Sequence, residues 1–217
     1  IPIKKYLEDM VYRNLLIRAL ISILIFIIYI FSLNNLFILF SLGLIIYILI
    51  FYEVLKNFKY YFLFIIFYLL FSFSSYVIYF YNFYNIYFFN ILIFVIISFD
   101  TTSYLIGSLF GKNYLFKTIS PNKTFEGYLG GLILTNIFYL LYIFFYKGYN
   151  NLLNIIFLIN FIIIFSIFGD LIQSFFKRKN NIKDSSNFLP GHGGFFDRFD
   201  SFISSIIFLT LYSYIFL

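Results

Sequence analysis

Residues 169–201 read GDLIQSFFKRKNNIKDSSNFLPGHGGFFDRFDS, a polar island in an otherwise apolar chain. Four aspartates, five basic residues, the single histidine and four glycines fall within these 33 residues. Long runs of Ile, Leu, Phe and Tyr flank the island on both sides. Ionisable groups are costly beside lipid, so a cluster set between two apolar runs marks a functional loop between membrane-crossing helices. A second island, FDTTSYLIGSLFGKNYLFKTISPNKTFEGYLGG, occupies residues 99–131. Together the two hold six of the nine acids, nine of the eleven glycines and two of the three prolines.

The rest of the 217 residues follow from that contrast. The chain is 63% hydrophobic and 11% charged, with a mean hydropathy of +0.96. It lacks the polar surface of a water-soluble domain, and its apolar runs recur at about 20 residues, the length that crosses a hydrocarbon core. Helices are expected near 15–33, 35–55, 60–80, 87–109, 126–146, 152–176 and 199–217. This is an all-α, polytopic membrane bundle of about seven transmembrane helices. The first apolar run is too long, and too like its neighbours, for a cleaved signal peptide. With no cysteine, disulfides and thiolate chemistry are excluded.

The basic residues orient the bundle. Lys4, Lys5, Arg13 and Arg18 precede or open the first helix. Lys56 and Lys59 separate helices two and three, and Lys112, Lys117 and Lys123 separate four and five. Lys177, Arg178, Lys179, Lys183 and Arg198 separate six and seven. Placing the N-terminus inside puts 14 of the 15 basic residues on the cytoplasmic side and leaves only Lys147 outside, which the positive-inside rule favours strongly. The expected topology is N-in and C-out. The same rule explains the net charge of +6 without a nucleic-acid partner.

Each island has a chemistry. Asp100 lies well inside the fourth apolar run and must find a partner in the bundle. Ser120-Pro121 reads as an N-cap followed by proline at the first helical position. That places Lys123 and Thr124 in a first turn whose free N–H groups attract anions. In the second island Asp170 ends an apolar run, and Asp197 and Asp200 are spaced to share one helix face. Three carboxylates converging at a membrane surface attract cations, and oxygen ligands suit Mg²⁺ completed by substrate phosphates. Lys177, Arg178, Lys183 and Arg198 supply charge to neutralise those phosphates. Gly191, Gly193 and Gly194 around His192 let backbone close tightly on a ligand. The bland alternatives are cytoplasmic anchoring by the basic run, a structural His192, and salt bridges from the aspartates to Arg178 and Arg198.

The second island resembles the signature of the phosphatidate cytidylyltransferases, the CDP-diacylglycerol synthases. The pattern S-x-x-K-R, K-D-x-S, P-G-H-G-G, D-R-x-D is carried by Ser174, Lys177, Arg178, Lys183, Asp184, Ser186, Pro190, Gly191, His192, Gly193, Gly194, Asp197, Arg198 and Asp200. The first island is similar to the family's aspartate-led helix, G-R-x-F-G-K and S-P-x-K-T-x-E-G, through Asp100, Gly107, Phe110, Gly111, Lys112, Ser120, Pro121, Lys123, Thr124, Glu126 and Gly127. Ser108 stands where the family has arginine, and Ser103 where alanine is usual. The resemblance covers roughly residues 99–201.

The resemblance implies transfer of a cytidylyl group from CTP to phosphatidate, giving CDP-diacylglycerol and pyrophosphate in phospholipid biosynthesis. It implies an N-terminal transmembrane part, 1–98, shorter than is usual in the family. The catalytic membrane region is then 99–217, with polar loops at 111–126 and 177–198. Asp170, Asp197 and Asp200 are the expected ligands of Mg²⁺, with K⁺ as a companion ion. Lys177, Arg178, Asp184, His192 and Arg198 join them as catalytic residues. Lys112, Ser120, Lys123, Thr124, Glu126, Lys183, Gly193 and Gly194 are the expected phosphate- and substrate-binding set. The implied setting is a bacterial inner membrane, with the site facing the cytoplasm and the protein a homodimer. Two other readings use the same residues: a CTP-dependent lipid kinase of the polyprenol type, and an ion-coupled transporter. The full K-D, H-G-G and D-R-x-D string favours cytidylyl transfer over the kinase. The absence of an internal repeat, and the gathering of polar residues at one face, disfavour the transporter.

Overall fold

The computed structural model describes residues 20–21, 23–146, 152–189 and 193–216. Lys147 and the Pro190, Gly191 and His192 of the second signature lie outside the described residues, as do the four basic residues of the N-terminus. The chain forms α1 (Ile23–Ser32), then α2 (Leu36–Asn57), α3 (Phe62–Ile78) and α4 (Ile86–Phe110). A small hairpin of β1 (Tyr114–Phe116) and β2 (Ser120–Thr124) follows, then α5 (Phe125–Tyr146), α6 (Leu152–Lys179) and α7 (Phe196–Phe216). Five of these helices are long and apolar enough to cross a membrane, and α1 and the apolar part of α5 are shorter. The all-α polytopic membrane architecture expected from hydropathy is the one found.

Side chains that are poor in helix interiors set the helix starts. Asn35 caps α2 by accepting from Phe37 N at 2.9 Å, and Asn85 caps α4 by accepting from Tyr87 N at 2.9 Å. Their short polar side chains satisfy orphan N–H groups that lipid could not. α3 ends in a π-turn at Tyr79–Phe83, where the Tyr79 hydroxyl donates to the Asn85 carbonyl at 3.0 Å.

α7 is the central element. It is buried along 61% of its span, whereas the other four spans are buried along 33% to 39%. Its serines explain how it is enclosed. Ser204 Oγ donates to Phe165 O at 2.5 Å and Ser205 Oγ to Ile162 O at 3.4 Å, tying α7 to α6. Ser72 Oγ on α3 donates to Ile203 O at 2.6 Å, and Thr210 Oγ1 on α7 donates to Ser75 O at 3.0 Å. Small hydroxyls admit close backbone approach and satisfy carbonyls where no water competes. At Gly169 a β-carbon would strike the Asp200 carbonyl and the Ser204 hydroxyl, so only glycine lets α6 meet the start of α7 there.

Candidate functional site

The first turn of α7 organises the second island. Asp197 Oδ2 accepts from Ser185 N at 2.7 Å, Ser185 Oγ at 3.0 Å and Gly194 N at 3.0 Å. Its Oδ1 accepts from Gln173 Nε2 at 2.5 Å and Lys177 Nζ at 2.8 Å. Gln173 and Lys177 stand four apart on α6, one turn above each other on the same face. An acid in the first turn also meets the positive end of the helix dipole. The two glycines make this wrap possible. Gly193 has φ +80, and a β-carbon at Gly194 would collide with the Ser185 hydroxyl and the Glu53 carboxylate. Leu189 N donates to Gly193 O at 2.9 Å.

Glu53 is the residue that sequence reasoning passed over. It sits on α2 with none of its surface exposed. Oε1 accepts from Ser186 Oγ at 2.7 Å and Phe195 N at 2.7 Å, and Oε2 accepts from Ser185 Oγ at 3.0 Å and Phe196 N at 3.0 Å. Glu53 therefore caps α7 from another helix and folds the signature loop down onto the N-terminal part of the chain. The Ser185 hydroxyl has one proton and lies 3.0 Å from both Glu53 and Asp197, so it couples the two carboxylates. An acid inside an apolar run was the available signal, the same one that drew attention to Asp100.

The second centre is sparser. Lys123 on β2 forms an ion pair with Asp170 on α6 and lies 5.7 Å from the Tyr128 ring centroid. Burial depresses the Lys123 pKa below the ordinary lysine value; Asp100 and Asp200 oppose that shift, and Lys177 adds to it. Lys123 is thus the electrostatic hub among α4, α6 and α7. Among the described residues, Asp170 Oδ1 has only a long contact from Ser174 Oγ at 3.5 Å, and its buried Oδ2 has no hydrogen-bond donor beyond the ion pair. Asp200 Oδ1 accepts from its neighbour Ser201 N at 2.8 Å.

The hairpin corrects one expectation. Ser120–Thr124 is the strand β2, paired antiparallel with β1, and α5 begins only at Phe125. Ser120-Pro121 is therefore no helix start, and Lys123 is not in a helical first turn. Thr124 is the cap, its Oγ1 accepting from Gly127 N at 3.2 Å. The strand wins because its base is clamped: Phe125 N donates to Asn113 O at 2.8 Å. Glu126 Oε2 accepts from Lys112 N and Asn113 N at 3.1 Å each, and its Oε1 accepts from Asn113 Nδ2 at 2.7 Å. Both Glu126 oxygens are occupied in shaping the loop. Arg178 Nε donates to Ile119 O at 3.2 Å, joining the hairpin turn to α6.

The remaining expected residues divide plainly. Lys112, Lys183 and Asp184 are exposed, and Arg198 stands in the first turn of α7. Asp184 lines an open pocket of about 650 Å³ with Lys56, Asn57, Ser185, Ser186 and Phe188, whose lining includes neither Lys123 nor Asp170. The three carboxylates expected to converge are not gathered at one point: Asp170 pairs with Lys123, while Asp197 is enclosed by Lys177, Gln173 and the loop. Among the described residues no group of three or more histidine, aspartate or glutamate side chains is arranged to hold a metal ion. A cation is suited more narrowly by Asp170, whose Oδ1 has one long contact among the described residues, because Mg²⁺ takes one or two carboxylates plus substrate phosphates.

Opposed acids and bases therefore lie among the ends of α6 and α7 and the β1–β2 hairpin of an apolar helix bundle. The sequence model described as "Cytidylyltransferase family" matches residues 4–216, and the chain belongs to that family. It is similar to the phosphatidate cytidylyltransferase of Staphylococcus haemolyticus, 51% identical over 107 residues. It is likewise similar to the phosphatidate cytidylyltransferases of Staphylococcus saprophyticus, 48% identical over 105 residues, and Staphylococcus aureus strain COL, 47% over 107. Each match covers 48% of this chain and 40% of the relative.

Proposed function

We propose that this chain transfers the cytidylyl group of CTP to phosphatidate, yielding CDP-diacylglycerol and pyrophosphate. The observation that carries the reading is the Lys123–Asp170 ion pair, which joins the two signature islands at one polar centre in a chain of the cytidylyltransferase family. The names of the relatives point the same way.

A phosphate oxygen of the lipid attacks the α-phosphorus of CTP. A new P–O bond forms, the bond from the α-phosphorus to the β-phosphate oxygen breaks, and pyrophosphate leaves. The nucleophile is already an anion, so the protein needs no serine or cysteine nucleophile. Its work is to bring two anions together and hold the charge that develops on the leaving group. Lys123, Lys177, Arg178 and Arg198 are the cations assigned to the phosphates. Lys123 and Lys177 are held by carboxylates until phosphate oxygens take their place. Asp170 and Asp200 are the residues assigned to Mg²⁺, which would neutralise phosphate charge when bound. Asp197 has a different role. With five donors on its two oxygens, it orders the loop and aims Lys177. The asymmetry of basic residues supports a plasma-membrane protein with this site at the cytoplasmic face.

The test supplies membranes carrying the protein with phosphatidate, Mg²⁺ and CTP labelled at either the α- or the γ-phosphorus. Label from the α position in the lipid fraction is the expected result. Label only from the γ position, with polyprenol or diacylglycerol also supplied, would replace this reading with a lipid kinase.

A further inference from the structure

The β1–β2 hairpin exposes what a water-facing loop should hide. Tyr114, Leu115 and Phe116 are 49%, 44% and 36% exposed, although they lie outside every spanning helix. The adjoining helix ends expose apolar side chains as well, Leu109, Phe110 and Phe125 being 73%, 66% and 45% exposed. Apolar side chains exposed both on a loop and at the ends of the apolar helices it joins suit the same medium. The charges identify the depth. Residues 112–124 contain Lys112, Lys117 and Lys123 and no acid, and Arg178 is bonded to the hairpin turn through Ile119 O. Tyrosine and lysine beside apolar side chains are the composition of the bilayer interface. Three residues of strand extend about 10 Å, close to the roughly 5–8 Å of headgroup layer on each side of the core.

We propose that the hairpin of residues 112–124 lies in the anionic headgroup layer of the bilayer, with Tyr114, Leu115 and Phe116 in the apolar margin and Lys112 and Lys117 on lipid phosphates. Lys123 is carried on the same hairpin, so seating it in the headgroups also seats Lys123 against Asp170. This inference rests on the membrane spans and the hairpin geometry and is independent of which group the protein transfers.

The chain has no tryptophan, so Phe116→Trp and Tyr114→Trp each give a full-length protein with a single reporter. Each is placed in vesicles of phosphatidylcholine alone or mixed with phosphatidylglycerol, with bromine on lipid tails near the headgroup or near the tail end. Blue-shifted emission is expected, quenched by the shallow bromines and protected from aqueous iodide, with both effects stronger in the anionic vesicles. Each lysine beside an anionic surface contributes about a fivefold preference for it. Lys112→Gln with Lys117→Gln should therefore lower the ratio of seated to unseated hairpin about 25-fold in anionic vesicles. Red emission quenched by iodide in both reporters would overturn the proposal and point to a protein partner, since the vesicles contain none. Bromine quenching identical with and without phosphatidylglycerol would overturn the anionic preference.

Discussion

Two aspartates from the same signature island meet opposite environments. Asp197 receives five donors, from Gln173, Lys177, Ser185 and Gly194. Asp170, one helix away, has the Lys123 ion pair and one long contact from Ser174. A carboxylate whose acceptor sites are all filled by its own protein has little capacity left for a ligand, and a buried one that is underfilled has capacity to spare. The difference separates a group that builds the loop from the group proposed to meet a cation and substrate phosphates. It also revises the shared metal-binding role expected of Asp170, Asp197 and Asp200.

The comparison breaks most directly at Asp170. Asp170→Asn should lower cytidylyl transfer by about 10³-fold or more, equivalent to about 4 kcal/mol, while unfolding in mixed micelles changes less than in Asp197→Asn, because the one cation left unpaired, Lys123, keeps 32% of its side chain exposed. Asp197→Asn should behave differently. An amide can accept from the Ser185 and Gly194 side, but its NH₂ then opposes Lys177 and Gln173. About 3 kcal/mol of stability should be lost, with activity falling as the loop loosens. Equal stability losses in the two variants would erase the distinction.

Much of this was legible in the sequence and some was not. The apolar runs and the two polar islands could be read directly, because membrane burial penalises polar residues so strongly that those remaining mark their own importance. The hairpin could not be read. Ser-Pro followed by Lys-Thr has the local chemistry of a helix start, and what overrides it is remote: Glu126 reaching back to Lys112 and Asn113, and Arg178 reaching from α6 to Ile119. The separate fates of Asp170 and Asp197 were equally hidden, since a carboxylate's place in an island says nothing of which donors fill it. Glu53 was visible as an acid in an apolar run, but its partners are more than 130 residues away along the chain.

Glu53 sharpens the comparison from the filled side. Glu53→Gln keeps the shape and retains one acceptor oxygen, while its NH₂ faces two donors among Ser185, Ser186, Phe195 and Phe196. A loss of about 2 kcal/mol is expected, seen as a lowered midpoint in mixed-micelle unfolding. The residual activity at a temperature where the variant is folded should be close to that of the parent, because Glu53 acts through the loop. A hundredfold fall in turnover without a change in midpoint would instead move Glu53 into the reacting centre.

The smallest effect is expected where two polar groups meet away from both carboxylates. Asn136 on α5 and Asn160 on α6 exchange amide hydrogen bonds at 3.1 and 3.3 Å. Each amide also donates to a carbonyl of its own helix, at Leu132 and Ile156. That second partner is why the pair is weak: when Asn136→Ala removes one amide, Asn160 keeps its bond to the Ile156 carbonyl. Interhelical hydrogen bonds in membranes average about 0.6 kcal/mol for the same reason, and a loss of that size is expected here, with cytidylyl transfer unchanged. Asn136→Ala together with Asn160→Ala should add little to it. A loss near that of Asp197→Asn would mean that crowding by donors is not what distinguishes a structural polar group in this bundle, and the contrast between Asp170 and Asp197 would lose its physical basis.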